Sequence, residues 1–307
     1  MRCATVVLLL PALALAQQSP RDDEATLRRL RAELRAARDE LDRLGAIEVP
    51  EPTQVRGSLG VDFTNQYFFR GILQEDQGAI AQPWLELDFG LGKGVGLLHD
   101  VEWSLGIWNS LHDGPTGGAG SVWYESDVYS GLSVGVGERL RVGVQYTGYH
   151  SPNASFGTVQ EIAVNAAFDD ARLWLGGGLQ PSVTLAFEVA GQADAGNGLG
   201  IFAGVGIAPG LPLGSIGDVA LSLTAPVHLG LSVHDYFEAP GGGADDTFGY
   251  LDTALVASAA MGRLSTPMRS WQVDLGLHWL LLGDSNQQRN GGSGGELLVA
   301  FGVSSRF

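Results

Sequence analysis

Cysteine is all but missing: the 307 residues include one, Cys3. It falls in a segment expected to be removed, so the mature chain has no disulfides and no thiol chemistry. Cys3 also precedes the apolar run rather than ending it, so a lipoprotein anchor is not expected. Bases are scarce, 18 lysines and arginines against 34 acids for a net charge of −16, which excludes a nucleic-acid partner that needs a basic face. Charged residues of both signs make up 17%, below the usual quarter. Past its first residues the chain has no apolar run near the roughly 20 residues of a membrane helix. It has no G-x-S-x-G motif, and the histidines (His99, His112, His150, His228, His234, His278) show no tight pairing with a serine and a carboxylate. His228 and His234 would lie about 20 Å apart along one strand face, too far to share a metal. The glycines of Gly200–Gly206 follow strand alternation and open no helix, so phosphate binding is a poor reading. Neither an enzyme nor a cofactor is expected.

Glycine is abundant instead, with 45 copies spread along the chain rather than gathered in a linker. At the start, Arg2, the apolar run Val6–Leu10 and Ala14-Leu15-Ala16 supply a positive end, an apolar core and a small-x-small cleavage site. These three parts in order predict a signal peptide over residues 1–16. Residues 17–44 change character. Leu27, Leu30, Leu34, Ala37, Leu41 and Leu44 recur at alternating spacings of three and four, the a/d seam of a coiled coil, flanked by balanced charges. So short a helix is marginal alone. It is expected either to join copies of the chain, as dimer or trimer, or to lie as a single amphipathic helix on another surface. Residues 45–55, with Pro50 and Pro52, read as an extended linker.

From residue 56 to 307 the period is two. Leu59, Val61, Phe63, Tyr67 and Phe69 alternate with Asp62, Thr64, Gln66 and Arg70. The pattern recurs near 80–91, 95–109, 121–135, 139–149, 158–168, 171–189, 198–208, 218–233, 247–261, 270–282 and 296–307. About twelve strands are predicted, an even number, as in single-chain bacterial outer-membrane barrels. The connections alternate too: Leu73–Ala79, Ser110–Gly120, His150–Gly157, Ala190–Asn197, His234–Asp246 and Gly283–Gly295 are polar and glycine-rich, whereas Gly92–Gly94, Val136–Glu138 and Asp169–Asp170 are tight. Pro209–Gly217 and Gly262–Arg269 are longer than that rule predicts. Trp271 and Trp279 bracket aliphatic residues on one face and would stand ~20 Å apart along a membrane normal, close to the height of an outer-membrane apolar band. With Phe63, Phe69 and the terminal Phe307 they are expected to form aromatic girdles. The fold class is therefore an all-β, antiparallel up-and-down transmembrane barrel in the bacterial outer membrane, with the amino-terminal arm in the periplasm.

The run Asn65-Gln66-Tyr67-Phe68-Phe69-Arg70-Gly71-Ile72, then Gln74, Asp76, Ala79, Gln82 and Pro83, resembles the opening of the TorF-type porin family. Trp108-Asn109-Ser110 and Glu125–Gly131 look like that family's following strands, so the resemblance covers roughly residues 57–170. Leu73 in place of serine and the coiled coil in front depart from the pattern. The resemblance implies a porin-like barrel in the outer membrane and names no solute.

By parity the inward face carries Asp62, Glu86, Asp88, Asp100, Glu102, Glu125, Asp127, Glu161, Glu188, Asp252, Asp274 and Glu296 against Arg70, Arg141, Arg172 and Arg306. From residue 46 onward there are 27 acids and 10 bases, so the net −17 belongs to the barrel. So many carboxylates need water or partners. A water-filled, carboxylate-lined lumen favours cations, so the expected function is passive diffusion of small hydrophilic solutes or ions. The partners expected are membrane lipid, those solutes and, through the coiled coil, other copies of the chain. Phe68, Trp84, Trp108, Trp123, Tyr129, Trp174 and Phe202 also fall inward and could close the tube. The alternative is therefore a closed structural barrel whose arm tethers the envelope or a periplasmic partner.

Overall fold

The computed structural model describes residues 55–92, 94–117, 121–173, 177–262 and 270–307. The expected signal peptide, coiled-coil seam and all of the linker except Val55 lie outside the described residues. Among these residues there are sixteen strands and one short helix. They are β1 (Val55–Thr64), β2 (Tyr67–Phe69), β3 (Ile72–Glu75), β4 (Ile80–Gly92), β5 (Leu98–His112), β6 (Trp123–Val136), β7 (Leu140–His150) and β8 (Val159–Phe168). The second half holds β9 (Ser182–Ala190), β10 (Ile201–Ile207), β11 (Gly210–Ile216), β12 (Val219–Thr224), β13 (Val227–His234), β14 (Phe248–Met261), β15 (Ser270–Leu282), α1 (Asp284–Arg289) and β16 (Gly295–Arg306).

Antiparallel pairing runs β14-β13-β10-β9-β8-β7-β6-β5-β4-β1-β16-β15, and β15 pairs back onto β14. The ring is closed and holds twelve strands, each of them paired on both sides. The alternation in the sequence produces two unlike faces. On β15, Leu275, Leu277 and Trp279 are about half exposed on the outside, while Asp274 and His278 point inward to Ser258, Gln272 and Asp252. Phe63 and Phe301 stack across β1 and β16 on that outer face, 6.5 Å apart. One end of the barrel carries the short connections and both chain ends of the ring; the other carries the longer loops.

Four segments differ from the sequence expectation. The first strand stops at Thr64 rather than running through Phe69. There Asn65 closes the ladder: its N–H donates to the Val299 carbonyl and its Oδ1 accepts the Val299 N–H at 2.7 Å. Residues 67–75 form a separate hairpin. Strand β9 begins at Ser182, not 171. The Asp170 carboxylate accepts the Leu179 and Gln180 N–H groups at 2.9 and 2.7 Å and ties those two residues back to the end of β8. Burial would raise that carboxyl, but these donors outweigh it and keep it below the usual carboxylate range. Arg172, expected in the lumen, is therefore on an exposed turn.

The stretch from 209 to 217, read as an overlong connection, is mostly strand. β11 continues β10 beyond Ala208-Pro209, Gly217-Asp218 makes a tight turn, and β12 leads into β13 through Ala225-Pro226. Both breaks fall at prolines, which have no N–H to give to a ladder. The Pro209 carbonyl accepts the Ala225 N–H at 2.9 Å and the Pro226 carbonyl accepts the Ala254 N–H at 2.8 Å, so the two interruptions sit side by side. The last difference is a bulge in β6. Leu111 pairs with Trp123 but Ser110 pairs with Glu125. The extra residue, Tyr124, turns Trp123 to the outside and leaves Tyr124 and Glu125 both facing in.

Candidate functional site

The interior has two unlike halves. Near the short turns its walls carry small and polar side chains. A cavity of about 280 Å³ there is bordered by Ser104, Ser133, Arg141, Gln145, Asn165 and Thr184. Near the long loops the interior is packed. Tyr236 and Phe237 of the β13–β14 loop are 1% and 0% exposed, and with Phe202, Tyr250, Leu280 and Leu282 they form an apolar plug against Phe68. A second cluster joins Tyr67, Ile80 and Tyr124 to Phe69, Trp108 and Phe156.

Between the clusters sits the β2–β3 hairpin. Phe69 pairs with Ile72, so Arg70 and Gly71 make a two-residue turn with φ of 48° and 83°. Positive φ at both positions suits the type I′ hairpin. Glycine adopts it freely, whereas arginine does so at a cost that its contacts must offset. The Arg70 guanidinium forks onto Glu161, with Nη1 and Nη2 donating to the two carboxylate oxygens at 2.7 and 2.8 Å. It also donates to the Tyr236 hydroxyl and lies 4.1 Å from the Phe202 ring centroid. Tyr149 and Tyr236 donate to the same carboxylate at 2.9 and 3.1 Å. Glu161 is 2% exposed. A buried carboxylate persists only when it is paired and hydrogen-bonded this fully.

Loops clamp the hairpin from above. Asn290 donates to the Gly71 carbonyl and accepts the Leu73 N–H, both at 2.8 Å. Glu75 accepts the Thr116 N–H and hydroxyl at 2.8 and 2.7 Å. Arg289 of α1 donates to the Glu238 carbonyl at 2.6 Å, and Asp194 accepts the Glu238 N–H at 2.8 Å. Three long loops and α1 thus hold one another over the hairpin.

Most of the acids expected inward lie on that wall. Asp62 accepts the Trp84 indole N–H at 3.0 Å and Glu86 accepts the Tyr129 hydroxyl at 3.0 Å. Glu102 pairs with Arg56, Glu188 accepts the Ala193 and Gly200 N–H groups, and Asp252 faces His278 at 3.1 Å. Asp274 accepts from Gln272 and Ser258, and Glu296 lies 3.5 Å from the Gln66 amide. Asp88 follows Glu86 on the same face of β4, and Arg306 pairs in register with Ser58 and Ser270. Arg141 donates to Ser133 at 3.0 Å near the turn end. Asp100 differs: it occupies a bulge at the turn end of β5 with φ of 47°, exposed and paired with His99. Arg70 is inside as part of the hairpin rather than of a wall strand. Of the girdle aromatics, Phe63, Trp271, Trp279 and Phe307 lie on the outer face, Phe307 with its ring over Gly57. Phe69 does not, because the hairpin carries it inward against Tyr149, 5.2 Å away. Trp174 lies outside the described residues.

The plug residues Tyr236 and Phe237 were not read from the sequence, since they sit in a connection counted as polar. An adjacent aromatic pair in a glycine-rich loop is the signal that could have found them. Tyr67, Tyr124 and Tyr149 belong with them, as inward aromatics whose hydroxyls find acidic or amide partners.

No protein-family model matches this chain, so the TorF-type resemblance is not confirmed, and no curated protein matches it. Among solved structures it is similar to the NanC porin, at 12% identity over 80% of this chain and 98% of that one, with a TM-score of 0.44. It is also similar to an outer membrane channel from Pseudomonas putida F1, at 12% identity over 86% and 98%, TM-score 0.45. The translocator domain of the autotransporter NalP from Neisseria meningitidis matches at 15% identity over 94% and 100%, TM-score 0.39. Likenesses this distant add nothing to the closed ring that the strand pairing of this chain shows directly.

Proposed function

We propose that this chain is a porin-like barrel of the bacterial outer membrane, a passive channel for small hydrophilic solutes or ions with a cation preference. One observation carries the reading: a closed twelve-strand ring whose outer face is apolar and exposed while its inner face is lined with carboxylates. An apolar belt of that extent needs lipid against it, and an inner wall rich in acids needs water or cations. The short-turn end and the amino-terminal arm face the periplasm and the long loops face outward. On this reading conduction requires the β2–β3 hairpin to leave the packed loop half, and the described arrangement is taken as the shut one.

The packed loop half equally favours a second reading, a permanently closed barrel whose coiled-coil arm tethers the envelope or a periplasmic partner. Planar bilayers separate the two. Stepwise conductance with a reversal potential on the cation side supports the channel. Silence at demonstrated insertion supports the tether, while oligomers lost on deleting Arg21–Leu44 would support an arm that joins copies of the chain.

A further inference from the structure

A second cavity opens at the loop end, above the hairpin, and has a composition unlike the rest of the interior. Its volume is about 410 Å³, and its lining includes Phe69, Tyr149, Phe156, Gln74, Gln192 and Glu125. That volume is within the range of small-molecule sites. Glu125 is 4% exposed, and its Oε2 accepts the Tyr67 hydroxyl at 2.8 Å. Two residues along, Asp127 is 8% exposed and its Oδ1 is buried with no hydrogen-bond partner. Among the described residues no base offsets either acid: Arg70 is committed to Glu161, Arg289 to Asp194 and Arg56 to Glu102. The bulge at Tyr124 is what brings Glu125 into this position, on the same side as the aromatic rings.

We infer that this cavity binds a small organic ammonium ion, with its charge against Glu125 and its alkyl groups against Phe69, Tyr149 and Phe156. A buried carboxylate left without a cation is costly, and the aromatic side chains that line the same cavity suit the alkyl groups of an organic cation. A bare metal ion fits poorly, because among the described residues no three acidic, histidine or cysteine side chains come together as ligands. An anion would meet Glu125 with no base to oppose it. The site is built in the described arrangement, with Phe69 and Gln74 supplied by the hairpin, so it does not depend on the barrel ever conducting. Failure of the channel reading leaves it standing.

The test is isothermal titration of the refolded full chain, in a detergent without a choline headgroup, using choline and its neutral isostere 3,3-dimethylbutan-1-ol. Choline is expected to bind at least about tenfold more tightly, which is ~1.4 kcal/mol. Glu125→Gln should remove that difference. Phe156→Leu, on the loop, should weaken choline about as much and serves if the first variant does not fold. Equal affinity for the two probes, no heat with either, or unchanged choline affinity in both variants would overturn the assignment.

Discussion

Arg70→Met is the most informative perturbation. Arg70 is the one charge the hairpin brings to the plug, and its partner Glu161 is almost wholly buried. Methionine keeps the apolar stem but removes the fork, so Glu161 keeps the hydroxyls of Tyr149 and Tyr236 and loses its counter-charge. Removing one partner of a buried pair costs about 3–5 kcal/mol, mostly the stranded charge. That cost falls on the shut arrangement alone, because Glu161 would be hydrated once the hairpin had left. At ~1.4 kcal/mol per decade the open fraction should rise on the order of 10²- to several 10³-fold. Single-channel recording in planar bilayers reads this as longer or more frequent openings, with heat-modifiable migration on gels confirming a folded barrel. The double variant Arg70→Met with Glu161→Leu should close the barrel again, since an apolar replacement of both partners is near neutral. A folded Arg70→Met barrel with wild-type open probability would refute a closing role for the Arg70–Glu161 pair, and an open double variant would show that losing the pair is not what opens the barrel.

Three further outcomes are expected. Asn290→Ala removes two hydrogen bonds to the hairpin, worth roughly 1–3 kcal/mol where the partners are buried, so openings should increase by about tenfold or more without a change in selectivity. Changing Asp62, Asp88 and Asp274 together to Asn should move the reversal potential in a salt gradient toward zero; an unmoved potential would place the selective carboxylates elsewhere. In Gly230→Ala the new methyl would collide with the Tyr250 ring, which lies flat across Gly230. Overpacking of this kind costs ~1–3 kcal/mol, so thermal unfolding in detergent should begin at lower temperature, and an unshifted transition would contradict the packing described.

How much was legible follows from the physics of each signal. Alternation is local: every second residue along β15 or β16 meets the same environment, so strand count, face assignment and the inward set from Asp62 to Glu296 can be read along the chain. Parity fails where a residue is added. Tyr124 in β6 and the bulge at Asp100 in β5 each shift the count by one, and only pairing with the neighbouring strand reveals it. Pro209 looked like a loop residue because proline ends a ladder, while Pro226 was read inside one unbroken strand. The two prolines, facing each other, merely interrupt two strands that then continue.

The sequence by itself determined the sheet: a chain with period two, abundant glycine and turns at regular intervals can satisfy its backbone only in paired strands. What packs inside the ring was decided by the tertiary structure alone. Tyr67–Phe69 has strand-like alternation and would have lengthened the wall, but Arg70 gains Glu161, Tyr236 and the Phe202 face only by turning inward. Those partners lie 91, 166 and 132 residues away along the chain. No local pattern encodes a contact at that separation; it exists only once the ring has closed around it.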